Sequence, residues 1–563
     1  MKNTKHRYIK VCMALALLGA GSCAKNFGDL NTDPSLVVTP DVKYLLSYSE
    51  DKIFTYQGTE WVWESMEQLM RFTQHITSSP FEITNNVNTR YNNYYLQILP
   101  NLNEIRRRVD AMPDKDRYQK IRVVTNILMV LHGIKVTDMN GSIPFSEAIK
   151  GRYDFKYNPV YDEQPNLFTN WLTQLNEAIK VLADNSLTTQ VSYGPSDIFY
   201  QSDWVKWVKL ANTLKLRIAA RLENADKAKC QAIFQEVMKD ATGPISDYDS
   251  QVKYVNATYV PFGTGGDIDY RSRRYASTSI MNFLKKTNDP RLPVYFEKND
   301  LVGSYKDTLA QYHVSLPSFI DPNDPLIMYQ GGPADWTTNP VVASFIGNPF
   351  PVSQFTKYSL ISPINRRFFS PQLNQATGKF LDVAVTYAET CFYIAEFIQK
   401  GYAGGVDTKG SAEDWYKKGV TSSIQTMNTI AVTAGSTTAY SGDGTTEINN
   451  YLANPLVKFN GVNNLERIYI QQFLGMYRQP NEAYVFCRRT GYPKTGSAYY
   501  GREPFNELIP RRFWLIDPGE VNRANWSAAM QQQGFTPNAQ DLPTLSSQRV
   551  WYDKPAPDFG KGQ

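Results

Sequence analysis

Apolar residues recur with a helical period through the first half of the chain. Segments 118–136, 163–183 and 204–222 each place them at the i, i+3, i+4, i+7 spacing: Ile121, Val124, Leu128 and Leu131, then Leu167, Trp171, Leu175, Ala178 and Leu182, then Trp204, Trp207, Ala211, Leu214, Ile218 and Leu222. This spacing predicts amphipathic helices, and Asp203 is the expected N-cap of the third. Adjacent helices of this length predict a mostly α-helical scaffold of helical repeats.

The sequence pattern changes between residues 241 and 376. Turn signals such as Gly243-Pro244, Gly331-Gly332-Pro333 and Asn348-Pro349 punctuate short segments without long periodic runs, which predicts a loop-rich insertion. Helical periodicity returns at 378–399, 412–428 and 463–487. We expect a mobile loop at 432–450, where Thr, Gly and Ser are frequent, and an Arg- and Pro-rich coil at the end of the chain.

The N-terminus has the pattern of a secretory signal. Four basic residues precede an uncharged apolar run from Val11 to Ala20, and Gly21, Ser22 and Cys23 follow it. The run is shorter than the roughly 20 apolar residues that span a bilayer. A cysteine at this place is the lipidated residue of bacterial lipoproteins, although Ala20 stands where Leu is preferred. We therefore predict a signal peptide over 1–22 and lipidation of Cys23, with ordinary secretion as the alternative.

The rest of the chain, 23–563, is predicted to form a single domain, because no Gly/Ser linker or long charge block divides it. Within it we expect a helical-repeat core at about 40–240 and 377–430, the insertion at about 241–376 and a C-terminal region at about 431–563.

The overall charge argues against a nucleic-acid partner. The chain carries 59 basic and 54 acidic residues, and four of the basic ones lie in the signal, so the mature protein is almost neutral. After processing the remaining cysteines are Cys230, Cys391 and Cys487. An odd, widely spaced set is neither a disulfide framework nor a metal-ligand pattern.

Several segments resemble those of SusD/RagB-type nutrient-binding lipoproteins of Bacteroidetes. The resemblance covers nearly the whole mature chain, and its motifs occur in the family's order. They are 26–34 (NFGDLNTDP), 138–148 (DMNGSIPFSEA), 161–164 (YDEQ), 207–217 (WVKLANTLKLR), and the C-terminal set 482–484 (EAY), 488–493 (RRTGYP), 509–512 (IPRR) and 550–553 (VWYD).

The resemblance implies a fold built on tetratricopeptide-like helix pairs. It also implies an outer-membrane lipoprotein, facing the cell exterior, that binds oligosaccharides and delivers them to a SusC-like TonB-dependent transporter. Some relatives capture peptides instead, and this alternative stays open. A third alternative is a structural or adhesive surface lipoprotein without a small ligand.

The residues give little support for catalysis. Only His75, His132 and His313 remain after processing, and no H-E-x-x-H, G-x-S-x-G or Walker A motif occurs. We predict no enzyme activity and no cofactor. A structural calcium ion at Asp247, Asp249, Asp267 and Asp269 is an alternative, because Ca²⁺ favours clustered loop oxygens, but no motif supports it. The pairs Arg488/Arg489 and Arg511/Arg512 are interpreted as structural ion-pair partners.

Ligand contacts are expected from aromatic residues in aperiodic segments, because a sugar ring presents an apolar face to Trp or Tyr and hydroxyls to polar side chains. Two clusters fit this description, one after the first long helix and one in the insertion. The predicted ligand-binding residues are Phe81, Arg90, Tyr91, Tyr94, Tyr95, Tyr329, Asp335 and Trp336. Since Tyr94 and Tyr95 are adjacent, we expect only one of them to face ligand.

Overall fold

The computed structural model describes residues 41–54, 60–78, 88–256, 274–311, 313, 315–318, 320–334, 360–369 and 379–563. The elements of the first half are α1 (Val42–Asp51), a π-helical segment Glu60–Leu69 that continues into α2 (Met70–Phe72), β1 (Ile76–Ser78), α3 (Thr89–Asn93), a π-helical segment Tyr94–Ile98, α4 (Leu99–Ala111), α5 (Gln119–Asn140), α6 (Gly151–Asp154), α7 (Gln164–Ala183), α8 (Trp204–Leu222) and α9 (Lys227–Lys239).

The second half begins with short elements and then returns to helices. These elements are β2 (Val252–Asn256), β3 (Arg274–Ala276), α10 (Thr278–Thr287), α11 (Leu292–Tyr295), α12 (Tyr305–Gln311), α13 (Arg366–Phe369), β4 (Phe380–Val385), α14 (Tyr387–Gln399), α15 (Ala412–Thr433), α16 (Thr445–Ala453), α17 (Asn464–Gly475), α18 (Pro480–Thr490), α19 (Arg523–Gln533) and α20 (Leu542–Ser547). Within the described ranges, no helix combines the length and the apolar character needed to cross a membrane.

Consecutive helices pack on one another and build the main core. Helix α5 packs against α7, α7 against α8, and α8 against α9, while α14 packs against both α15 and α17. Helix α5 is buried on nearly every face, as expected for a helix at the centre of such an array. The architecture is therefore mostly α-helical with tetratricopeptide-like helix packing, as predicted.

The strands form two small antiparallel pairs. Strand β1 pairs with β3, with Ile76 opposite Ala276 and Ser78 opposite Arg274. Strand β2 pairs with β4. Because the partners are far apart in sequence, each pair ties a strand of the insertion, β3 or β2, to a part of the chain outside it.

Helix ends follow the local sequence. Asp203 caps α8 by accepting hydrogen bonds from the backbone N–H groups of Val205 and Lys206, as predicted. Helix α5 ends at Gly141, whose φ of +76° lies in the left-handed region. A side chain there would collide with Gln533, since its Cβ would lie 2.0 Å from the Gln533 Oε1. Gly141 thus serves both the turn and the packing of α19.

Four predicted boundaries were wrong. The segment 378–399 begins with β4, whose β-branched Val383 and Val385 favour a strand, before α14 starts. The segment 463–487 is split into α17 and α18, because Pro480 starts a new helix. Helix α16 occupies part of the expected mobile loop, and α19 and α20 interrupt the expected terminal coil. The short α10 and α12 lie within the loop-rich insertion.

A buried ion-pair network joins the two halves of the chain. Arg221 on α8 lies 2.9 Å from Asp138 on α5 and 2.7 Å from Glu482 on α18. The Tyr552 hydroxyl donates to Asp138 at 2.6 Å. On the same α8, Arg217 pairs with Glu389 of α14 at 2.7 Å. All six side chains are buried, so each charge depends on its partner for the solvation it has lost.

Three of the four C-terminal arginines extend this network as structural residues, as interpreted from the sequence, whereas among the described residues Arg512 donates to the Gln548 side chain and not to a carboxylate. Arg489 pairs with Glu396 at 2.6 Å and Arg511 with Asp553 at 2.6 Å. Arg488 donates to the backbone carbonyls of Asp138 and Arg511, both at 2.7 Å. The C-terminal segment is thereby fixed to the end of α5.

Replacing Asp138 with Ala should destabilise the fold strongly. The change leaves the buried Arg221 guanidinium with an incomplete set of partners, which typically costs about 3–5 kcal/mol. The matched control is Asp110→Ala, which removes an exposed partner of Arg122 and should cost at most about 1 kcal/mol. Urea denaturation followed by circular dichroism measures both. A loss below about 1 kcal/mol in the Asp138 variant would contradict the role given to the network.

Candidate functional site

Four chain segments meet in a small, mostly buried cluster that we call the platform, formed by β1, β3 and residues 330–334 and 361–364. The Ala276 backbone N–H donates to Ser362 O at 2.9 Å, and the Gly332 N–H donates to Ala276 O at 2.8 Å. The Thr77 hydroxyl donates to the Pro333 carbonyl at 2.6 Å. Backbone and hydroxyl hydrogen bonds thus hold these segments in one register.

Further hydrogen bonds attach the platform to neighbouring segments of the chain. Ser277 Oγ donates to Gln74 O at 2.6 Å, and the Ala334 N–H donates to Glu503 Oε2 at 2.7 Å. At Gly331 the backbone approaches the start of α10 so closely that a Cβ would lie 2.5 Å from the Thr278 Cα. Only glycine fits there without a shift of the backbone.

Two of the predicted ligand segments depart from this platform. Phe81 lies three residues beyond Ser78, and Asp335 and Trp336 directly follow Ala334. Phe81, Asp335, Trp336 and the lipid-site Cys23 themselves lie outside the described residues. The hydrogen bond between Thr77 and Pro333 therefore joins the stems of both segments.

The tyrosines of the first predicted cluster are not part of the platform. Tyr94 is fully buried, and its hydroxyl donates to Met129 O on α5 at 3.0 Å. Tyr95 donates to the Pro144 carbonyl at 2.5 Å, and its ring lies 4.5 Å from that of the half-buried Tyr91. Burial raises the pKa of Tyr91 and of Tyr95 above their ordinary range. These side chains pack between α5 and the chain at Pro144.

Arg90 and Tyr329 are buried as well, in separate clusters. Arg90 has no solvent exposure and lies 2.8 Å from Glu64. Tyr329 is 8% exposed and packs in a cluster with α10 at the edge of the platform. The structure brings Tyr329 close to the platform stems and places Arg90, Tyr91, Tyr94 and Tyr95 against the helical core.

Apart from the platform, a charged pocket of about 80 Å³ lies beside Arg90. It is lined by residues of α5, β4, α8, the π-helix at Glu60 and the start of α18, among them Trp61, His132, Lys135, Asp382 and Arg478. Arg478 lies 3.2 Å from Asp382 and 5.1 Å from the centre of the Trp61 ring. The volume of the pocket suits a few water molecules rather than an oligosaccharide.

Burial dominates the electrostatics of this pocket. It raises the pKa of Glu64 to about 7, although the Arg90 guanidinium acts in the opposite direction. Burial likewise raises the pKa of Asp382, again against the effect of Arg478. It lowers the pKa of His132 to about 4, and Lys135 acts in the same direction. The pocket thus holds a neutral histidine among paired charges.

This pocket was not predicted from the sequence. The sequence feature that could have indicated it is the pair Glu60 and Glu64, one helical turn apart in a segment with Trp61 and Met66. Carboxylates on an apolar stretch require buried partners, and here Lys135 and Arg90 supply them. The distance in sequence between these partners hid the relation.

The described residues contain no group of three or more His, Cys, Asp or Glu side chains placed to hold a metal ion. Asp247, one of the four aspartates considered for calcium, accepts hydrogen bonds from Lys209 and Ser246. Asp267 and Asp269 lie outside the described residues, so the calcium alternative stays a prediction.

Residues 34–515 match the model of the SusD-like family described as starch-binding and associating with the outer membrane. Because the match spans most of the chain, the protein belongs to the SusD-like family, as the sequence motifs predicted.

Solved structures agree on the fold. A chitin-binding protein is 23% identical, with a TM-score of 0.67, and the match covers 91% of this chain and 100% of that one. A chitin-binding SusD homologue from Flavobacterium johnsoniae is 19% identical (TM-score 0.62, 92% and 100% covered). A SusD homologue from Bacteroides fragilis is 21% identical (TM-score 0.63, 92% and 100% covered). None of the curated protein sequences matches the chain.

Replacing His132 with Gln should reduce the pH dependence of stability. In the unfolded chain a histidine takes up a proton near pH 6.5, whereas the folded pKa of His132 is about 4. Between these values the unfolded state binds the extra proton, so the free energy of unfolding falls as the pH drops, by up to roughly 3 kcal/mol. Urea denaturation between pH 4 and 7.5 measures the slope.

The control for this experiment is His313→Gln, at an exposed histidine. Its slope should equal that of the wild type, while His75, whose pKa burial lowers to about 3, keeps a residual slope in both variants. Equal slopes in the His132 variant and the wild type would show that His132 takes up its proton without unfolding.

Proposed function

We propose that this protein is a lipid-anchored, surface-exposed lipoprotein of the outer membrane that binds oligosaccharides and delivers them to a SusC-like TonB-dependent transporter. Support comes from its family, described as starch-binding and associating with the outer membrane, and from two chitin-binding proteins among the solved structures. The N-terminal signal with Cys23 supports the lipid anchor.

We place oligosaccharide capture at the platform. The observation that carries this assignment is the hydrogen bond from Thr77 to Pro333, which joins the stems that carry Phe81 and Trp336. Aromatic side chains suit a sugar ligand, because a sugar ring presents an apolar C–H face on which they can stack.

The proposed activity is binding without catalysis, in keeping with the family's binding members. The buried acids Asp382 and Glu482 are paired with arginines, which suits a structural role.

Trp336→Ala should weaken oligosaccharide binding at least roughly tenfold, because an aromatic face for the sugar is removed, which corresponds to about 1.4 kcal/mol. The melting temperature should stay unchanged. Titration calorimetry of the mature protein with chito- and malto-oligosaccharides measures the affinity. The control is Tyr44→Ala, which removes an aromatic ring that is 59% exposed on α1, away from the platform.

Three other results would contradict the assignment. Unchanged affinity in the Trp336 variant would place the site elsewhere. Binding of peptides but of no oligosaccharide would favour peptide capture. A wild-type protein that binds neither class would favour a structural or adhesive lipoprotein.

Cys23→Ala should release the protein from the membrane fraction. Acyl chains contribute about 0.8 kcal/mol per buried methylene, and without them the mature chain has no anchor among its predicted features. Fractionation and immunoblotting measure the distribution, with Cys230→Ala, a buried thiol, as the control. Full retention of the Cys23 variant in the membrane would contradict the lipid anchor.

A further inference from the structure

A large groove lies on the helical half of the molecule and shares no residue with the platform or the charged pocket. Its volume is about 710 Å³, and its walls are α4, the chain from Phe145 to Asp154, and the side of α7 that carries Asn170 and Gln174. Pockets that hold small ligands usually enclose about 300–1,000 Å³. The groove is therefore large enough for one or two sugar units.

The groove is strongly basic although the mature protein is almost neutral. Two carboxylates line it, Glu104 and Asp154, against five cations: Arg106, Arg107, Arg108, Lys150 and Arg152. Glu104 is already engaged, because it accepts hydrogen bonds from both Arg107 and Arg108. The excess positive charge therefore lies mainly with Arg106, Lys150 and Arg152, where it would attract an anion.

Among these cations, Arg106 gives the strongest indication of an anion-binding site. Its guanidinium is partly buried, and it forms no ion pair with any carboxylate in the described part of the chain. Its guanidinium donates a hydrogen bond to the Met129 sulfur at 3.8 Å. Burial lowers the pKa of Arg106, and the neighbouring Arg122 acts in the same direction, while the more distant carboxylates Asp110 and Glu177 act against them. A guanidinium that has lost water and has no carboxylate in direct contact can still bind an anion.

An aromatic ring stands beside these charges in a fixed position. Tyr153 is 44% exposed, and its hydroxyl donates to Glu104 Oε2 at 3.0 Å. The Arg107 guanidinium lies 4.4 Å from the centre of the ring. The amides of Asn101, Asn103 and Asn170 line the same groove. An aromatic ring with nearby amides suits a sugar, whose C–H face and hydroxyls need both.

The backbone that presents these side chains is held in an uncommon conformation. Ile149 and Phe155 have φ values of +59° and +55° and flank the short α6 on either side. Left-handed conformations are unfavourable for branched and bulky residues, and they persist where the surroundings impose them, often at binding sites. Lys150, Arg152 and Tyr153 lie between these two residues.

We propose that this groove is a second binding site, which takes an anionic saccharide. Arg106 and Arg152 bind its carboxylate or sulfate oxygens, and Tyr153 and the asparagine amides contact the sugar ring. A guanidinium fork matches a carboxylate well. The concave shape and the amides favour a saccharide over the phosphates of a membrane surface, which present a broad charged plane.

The test is titration calorimetry of the mature protein with three probes: trigalacturonate, which carries carboxylates, a sulfated chondroitin oligosaccharide, and neutral chitotriose. Arg106→Gln/Arg152→Gln should weaken binding of the anionic probe at least tenfold. The control Arg117→Gln/Arg523→Gln removes two exposed charges outside the groove and should leave the affinity within about twofold. Arg152→Gln alone, at an exposed residue, should still weaken binding at least threefold if the double variant unfolds.

The two anionic probes identify the acidic group, and binding of either one with this dependence on Arg106 and Arg152 supports the proposal. No binding of either anionic probe by the wild type overturns it, and so does equal weakening in the control, which would indicate diffuse charge attraction. Binding of vesicles that contain lipid A through Arg106 and Arg152, without saccharide binding, would also overturn it in favour of a membrane contact. Because the groove and the platform share no residue, Trp336→Ala should leave binding of the anionic probe unchanged. The outcome with chitotriose therefore tests the platform separately.

Discussion

The buried guanidinium of Arg221, held between Asp138 and Glu482, is the constraint on which the rest of the structure depends. It connects α5 and α8 of the helical core to α18, from which the chain continues into the C-terminal segment. Tyr552 closes the same cluster from a position 414 residues away from Asp138. Charges without water tolerate few geometries, so the two halves of the chain are held in one relative arrangement.

This arrangement places the functional surfaces on a rigid base. The platform is held together mainly by backbone hydrogen bonds, and Glu503 and Ser277 attach it to neighbouring segments. Side chains in the segments that follow it can therefore vary without disturbing these hydrogen bonds. The groove beside Arg106 belongs to the helical half instead. A protein with two such surfaces could hold a long, mixed glycan at a neutral and an acidic position at once, which would raise its effective affinity.

The sequence predicted well what depends on local patterns. Helical periodicity predicted α5, α7, α8 and α15. The burial of α7 follows the apolar spacing, whereas α5 is buried on nearly every face. The sequence pattern missed β4, which is too short for a clear period, and it placed Tyr94 among ligand candidates because an aromatic in an irregular segment resembles a binding residue. Tyr94 is instead buried against α5 by long-range packing.

Long-range charge pairing was the least predictable feature. The motifs containing Asp138, Arg217, Glu482 and Tyr552 are visible in the sequence, yet only the fold shows that they meet. The basic groove was hidden for a related reason, since a nearly neutral total charge gives no sign that Arg106 and Arg152 come together. Pairing across hundreds of residues depends on topology, which local composition does not encode.

We propose that this protein works with an outer-membrane transporter to import glycans. Mass spectrometry of the complex that co-purifies with the tagged protein from gently solubilised outer membranes tests it most directly. We predict a stoichiometric TonB-dependent barrel, together with any saccharide that remains bound. A clean preparation of the lipoprotein without a barrel would contradict the import role and favour a structural or adhesive one.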